Sequence, residues 1–143
     1  MYQELKERLL KNWDGKIEIN EGKDFFEIIT QSEILFTLME FLKKEFGFNY
    51  LANLCGVDYG EKFTMVYHVC RIPENLKVCV KADIPRDNPE IDSLTCLWPA
   101  ADFQEREVYD LMGIVFKGHP DLKRILLPED FEGHPLRKDY KAV

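Results

Sequence analysis

The sequence predicts an α+β fold, a two-layer domain with two main helices on a mixed or antiparallel sheet of about five strands, then short C-terminal helices and an irregular tail. Three observations carry this. Segments 3–13 and 34–46 repeat apolar residues at helical spacing, and β-branched and aromatic runs between turn residues lie around and after the second of them. From Lys117 onward Pro120, Pro128 and Pro135 divide 27 residues in which neither period survives. A chain of 143 residues that is 45% hydrophobic and 31% charged fits one compact domain. At that size roughly two thirds of the unfolded surface is buried on folding, so neither a disulfide nor a metal is needed to hold a core.

The elements follow in order. Leu5, Leu9, Leu10 and Trp13 share one helical face and Gly15 supplies the stop. Lys16 to Asn20 and Asp24 to Thr30 are short apolar-rich runs flanking Glu21-Gly22, which reads as a β-hairpin. Ser32 is the expected cap of a second helix over Ile34 to Phe46, whose stripe is Leu35, Leu38, Met39, Leu42 and Phe46, with Gly47 beyond it. Phe48 to Asp58, Phe63 to Arg71 and Leu76 to Ile84 form an antiparallel meander around Tyr59-Gly60-Glu61 and Pro73-Glu74-Asn75. After the polar break Pro85 to Pro89, Ile91 to Leu97 and Phe103 to Met112 read as two short helices around Trp98-Pro99, and Gly113 ends the second. The body is thus expected over 1–116 and the tail over 117–143.

Charge and cysteine usage exclude several classes. A net charge of −7 argues against generic binding of nucleic acid and against an anionic lipid surface. The longest apolar stretches, Ile34 to Met39 and Ile125 to Leu127, fall far short of the ~20 residues that span a bilayer. The opening MYQELKERLLKNW mixes both charge signs and has no basic start or apolar core, so no secretory leader is expected. Cys55, Cys70, Cys79 and Cys96 contain no C-x-x-C pair, which argues against a zinc or iron–sulfur site, and Cys70 and Cys79 read as reduced core residues.

The tail has six basic and five acidic residues, leaving it at +1 and the body at −8. Ile125-Leu126-Leu127, Phe131, Leu136 and Tyr140 make it too apolar for a solvated linker, so an ordered strap laid across another surface is expected. A chain ending at Phe116 is correspondingly expected to fold but not to assemble. Catalytic equipment is sparse. Glu105, Arg106, Glu107 and Asp110 offer an acid–base cluster, yet Arg106 and Asp110 lie four apart on a helix, where an exposed ion pair worth only ~0.3–0.5 kcal/mol is the plainer reading. His119 and His134, each inside a Gly-His-Pro, read better as turns than as metal ligands, and His68 alternates with apolar neighbours along a strand. Phosphate-loop, dinucleotide, zinc-protease and serine-hydrolase motifs do not occur.

A run of motifs from Leu97 to Tyr140 is more specific. Leu97-Trp98-Pro99-Ala100, the E-R-E at Glu105 to Glu107, Tyr109-Asp110-Leu111-Met112-Gly113, Gly118-His119-Pro120, Arg124-Ile125-Leu126-Leu127-Pro128 and the H-P-L-R-K-D-Y of His134 to Tyr140 occur in that order. This run resembles the signature of the thirty-kilodalton family, the C subunits, of the proton-pumping NADH:quinone oxidoreductase, respiratory complex I. Phe131, where many relatives have tryptophan, and Asp102-Phe103-Gln104 depart from the pattern.

The resemblance implies a subunit with no cofactor and no catalytic activity of its own, part of a translocase. It would be peripheral on the cytoplasmic face of the inner membrane, in the hydrophilic arm against the D subunit, which with the B subunit frames the quinone site. It further implies that Glu105, Arg106, Glu107 and Asp110 brace the helix and tail, and it counts them with Gly113 among the residues that dock on the partner. His119, Pro120, Arg124, Leu126 and Pro128, with His134, Pro135, Arg137, Lys138 and Asp139, would form the docking strap. The alternative is the homologous subunit of a membrane-bound hydrogenase or of another quinone- or phenazine-linked dehydrogenase.

Overall fold

The computed structural model describes residues 2–141. Helix α1 (Tyr2–Trp13) precedes the hairpin β1 (Glu18–Glu21) and β2 (Phe26–Gln31), and helix α2 (Ser32–Phe46) follows directly. The meander β3 (Tyr50–Asp58), β4 (Lys62–Arg71) and β5 (Leu76–Pro85) leads to β6 (Glu90–Asp92), helix α3 (Ala101–Met112) and β7 (Val115–Lys117). The main sheet has the order β1-β2-β5-β4-β3. All its pairings are antiparallel except β2 with β5, which run parallel because the chain returns to the sheet through α2 and the meander.

Alternation explains why these strands form one layer. Phe26 and Ile28, Phe63, Met65, Tyr67 and Val69, and Val78, Val80, Ala82 and Ile84 point into one buried cluster. Leu5 and Leu9 of α1 and Leu35, Leu38, Met39 and Leu42 of α2 fill the same cluster from the helical layer. The opposite sheet face carries polar cross-strand pairs instead. Lys81 bonds to Glu27 at 2.6 Å and Lys62 to Asp83 at 3.1 Å, while His68 meets Asn53 at 2.7 Å. Among the thiols, Cys70 is buried, Cys79 half-buried and Cys55 and Cys96 exposed, and all four are free.

Four sequence expectations change. Ser32 does not cap α2: β2 runs straight into the helix, so the extended Gln31 holds the cap position and the Ser32 hydroxyl bonds to Glu33 at 3.4 Å. Ile91 to Leu97 is not a helix. Its first part is β6, which pairs parallel with β7 through Ile91 and Phe116, and three-residue strands are too short to show a period. The boundary after residue 116 falls inside β7, and Leu122 beyond it packs against the core. Finally, the expected Arg106–Asp110 ion pair does not form, because both side chains turn to the tail.

Candidate functional site: the strap on helix α3

Residues 118–141 have no regular structure, yet they follow α3 closely because their backbone groups find partners on it. The His119 ring enters first and its side chain is fully buried. Its Nδ1 accepts the N–H of Asp121 at 2.9 Å, so Nε2 carries the proton. That Nε2 lies 3.2 Å from the Asp102 carbonyl oxygen and 2.9 Å from its carboxylate. One turn along α3, Arg106 donates to the carbonyls of Lys123 and Arg124 at 3.2 and 3.5 Å.

Asp110 is the central anchor. Its Oδ2 accepts three successive backbone N–H groups, from Ile125, Leu126 and Leu127, at 3.1, 2.7 and 2.9 Å, while Oδ1 accepts from Arg124 at 3.1 Å. Successive amides converging on one oxygen form an anion-binding nest, here filled by the chain's own carboxylate. Burial pushes the Asp110 carboxyl up, but the three amides and Arg124 outweigh it and hold the pKa below the ordinary value. Arg124 also reaches the Gly133 carbonyl at 2.7 Å and lies 5.6 Å from the Phe131 ring centroid.

Past Gly133 the strap returns to the end of α3. The His134 Nδ1–H donates to the Asp110 carbonyl at 2.9 Å, and Leu136 N–H to that of Leu111 at 2.9 Å. Gly113 makes this approach possible: its φ of 75° suits glycine, and a Cβ there would lie 2.8 Å from His134 Cδ2. The last attachment is on the β3–β4 turn. Asp58 accepts N–H groups from Gly60 and Lys138, each at 2.8 Å, and pairs with Arg86. Arg86 chiefly, and these amides after it, hold the Asp58 carboxyl far below the usual range. Arg86 also meets Asp139 at 3.2 Å, and the Arg86 and Arg137 guanidiniums stand 4.8 and 5.1 Å from the centre of the Phe63 ring.

Glu105 faces the other way. Its fully buried carboxylate accepts from Ser93 Oγ at 2.6 Å and Leu94 N–H at 2.8 Å, tying the turn after β6 to α3. Burial pushes its pKa up despite those bonds. Glu105 and Asp110 have no exposed surface, so neither can touch a substrate or a partner in this fold. They brace the junction from within. Arg106 and Arg124 are likewise turned inward, whereas Glu107, Pro120, Leu126, Pro128, Lys138 and Asp139 are exposed and Pro135 is half-buried. Leu126 and Leu136 each leave about 60% of their surface in solvent, and Phe103 on α3 as much. Among the described residues no three His, Cys, Asp or Glu side chains are placed to hold a metal ion.

Asp58, Arg86, Phe63, Ser93 and Asp102 are site residues that the sequence reading passed over. Asp58 contacts the strap from 80 residues away, a separation at which no local pattern speaks. Its only local mark is the Asp58-Tyr59-Gly60 turn, where the carboxylate caps the Gly60 amide.

Comparison with known proteins joins this geometry to a family. Residues 28–143 match the family model described as respiratory-chain NADH dehydrogenase, 30 Kd subunit. The C subunit of NADH-quinone oxidoreductase from Moorella thermoacetica is 51% identical over 127 residues, spanning 87% of this chain and 86% of that protein. NADH-quinone oxidoreductase subunit 5 of Thermus thermophilus is 48% identical over 109 residues, 68% of this chain and 53% of that one. Among solved structures, the trypsin-resistant fragment (1-134) of Nqo5 superposes with a TM-score of 0.71 at 34% identity, covering 82% of this chain and 98% of the fragment. A chain of the membrane-bound sulfane sulfur reductase, an archaeal respiratory membrane complex, gives a TM-score of 0.83 at 23% identity over 97% of this chain and 85% of its own, a likeness of fold alone.

Proposed function

Because this chain belongs to the family of respiratory-chain NADH dehydrogenase 30 kDa subunits, we propose that it is a non-catalytic structural and assembly component in the hydrophilic arm of NADH–quinone oxidoreductase. There it supports electron transfer from NADH to quinone coupled to proton translocation. Its docking surface is the strap, seated on the D subunit beside the quinone site with the B subunit as a neighbour, and it sits peripherally on the cytoplasmic face of the membrane. No helix among the described residues is long and apolar enough to cross a membrane.

One observation carries the docking assignment. The strap fastens the amides of Ile125, Leu126, Leu127 and Leu136 to α3 and still turns the side chains of Leu126 and Leu136 to solvent, although Phe131, Leu127 and Ile125 in the same strap are partly covered. Exposed leucines on a rigid support, flanked by prolines that limit the entropy lost on ordering, suit a partner's apolar surface. In this reading Pro120, Pro128, Pro135, Lys138 and Asp139 belong to the contact rim. Gly113, His119, His134, Arg124 and Arg137 shape it from beneath.

The test is a pull-down of the tagged full-length chain and its L126D/L136D variant from detergent-solubilised host membranes, with partners identified by mass spectrometry. The wild type is expected to recover the D and B subunits, and the variant, equally folded by circular dichroism, is expected to lose them. Unchanged recovery by the variant would overturn the docking surface. Recovery of hydrogenase or sulfur-reductase subunits would move the chain to a related complex.

A further inference from the structure

The strap is fastened by two latches of unequal build. At the first, Asp110 takes three strap amides and Arg124, and the two side chains are 0% and 11% exposed. At the second, Asp58 takes a single strap amide among the described residues, that of Lys138, and the Arg86 link runs to Asp139, whose side chain is 55% exposed. His134 and Leu136 are still bonded to the end of α3. Beyond them the backbone bonds of Arg137 and Tyr140 are local, to His134 and Arg137, and Tyr140 stacks on Phe131 of the strap itself at 6.5 Å. Segment 137–141 therefore carries its own turn and is tied to the body by Lys138, Asp139 and the Arg137–Phe63 contact.

We propose that residues 137–141 form a clasp that opens and closes on the β3–β4 turn as a unit, while residues 119–136 remain seated on α3. Opening frees Asp58 Oδ2 of the Lys138 amide and takes the Arg137 guanidinium away from the Phe63 ring, which keeps Arg86 beside it. A buried carboxylate oxygen then becomes available to a partner offering a cation or an N–H donor. This rests on the docking reading only for its use in assembly, since the opening itself belongs to the isolated chain. Local opening of this kind shows as amide exchange faster than that of the global core.

Residue-resolved hydrogen exchange by NMR on the full chain tests it. The Lys138 amide is expected to exchange at least tenfold faster than those of Ile125, Leu126 and Leu127. Asp139→Ala, a substitution at an exposed position, is expected to speed exchange at Lys138 several-fold and leave residues 125–127 and α3 unchanged. Arg137→Ala should do the same. Equal rates at Lys138 and Leu127 in the wild type, or a uniform rise over the whole strap in both variants, would overturn the clasp. Because the measurement needs no partner, a failed pull-down with normal exchange rejects only the docking surface, and uniform exchange with a normal pull-down rejects only the clasp.

Discussion

Two carboxylates five positions apart on α3 respond to burial in opposite ways, and the difference lies in how many donors each receives. Asp110 meets three amides and a guanidinium, enough to overcome desolvation, whereas Glu105 meets one amide and one hydroxyl and is left with a raised pKa. The pH dependences therefore have opposite signs. The stabilisation from Asp110 is present above its unfolded pKa near 3.8 and lost as pH falls through its lower folded value. That from Glu105 is present below its unfolded pKa near 4.5 and lost as pH rises through its higher folded value. Asp110→Ala leaves a buried guanidinium and three amides without their acceptor, and urea unfolding at pH 7 should show a loss of about 3 kcal/mol. A loss under about 1 kcal/mol would contradict the anchor role. Glu105→Gln, which keeps an acceptor oxygen for Leu94, should gain stability relative to wild type as pH is raised from 4 to 8. A flat difference across that range would count against the burial argument. In the core, the Tyr67 hydroxyl is buried with no hydrogen-bond partner among the described residues. Tyr67→Phe is expected to leave stability unchanged or raise it by up to about 1 kcal/mol, since removing an unsatisfied polar atom cancels its desolvation penalty.

At the scale of elements, long periodic segments were legible and short or long-range ones were not. The stripe of Leu35, Leu38, Met39 and Leu42 and the alternation along β4 and β5 announce a helix and strands because each repeats its signal several times. β6 and β7 repeat nothing, and they exist because Glu90–Asp92 and Val115–Lys117 find each other across α3. The strap was legible as an apolar, proline-divided tail, and its order is legible only once α3 stands beside it. Glu105, Asp110 and Gly113 stand out in the sequence as a charged cluster and a helix stop, and the family resemblance adds their bracing role, while Ser93, which bonds to Glu105, and the Asp58–Arg86 pair, which holds Lys138 and Asp139, lie outside the motif. Gly113 ties the two elements together. Gly113→Ala should cost about 1–2 kcal/mol from its positive φ and should loosen the His134 contact, seen as faster exchange of the Leu136 amide. Normal stability with a protected Leu136 would show that the helix end and strap are not coupled.

The whole molecule is a two-layer body with a strap bolted to its third helix, and the carboxylates buried along that helix are spent on holding the chain together. A cut after residue 116 would split β7 and strip Asp110 of Arg124 and all three amides, so 117–141 is structural as well as outward-facing. Point substitutions on Leu126 and Leu136 separate these roles where truncation would confuse them. The central claim is that the outer side of the strap is covered by neighbouring subunits in the assembled oxidoreductase. Cross-linking mass spectrometry on the intact complex, read at the exposed strap lysines Lys123 and Lys138, tests it most directly. The account predicts links from these lysines to the D and B subunits. Links confined to this chain, with both lysines as reactive in the complex as in the isolated protein, would contradict it.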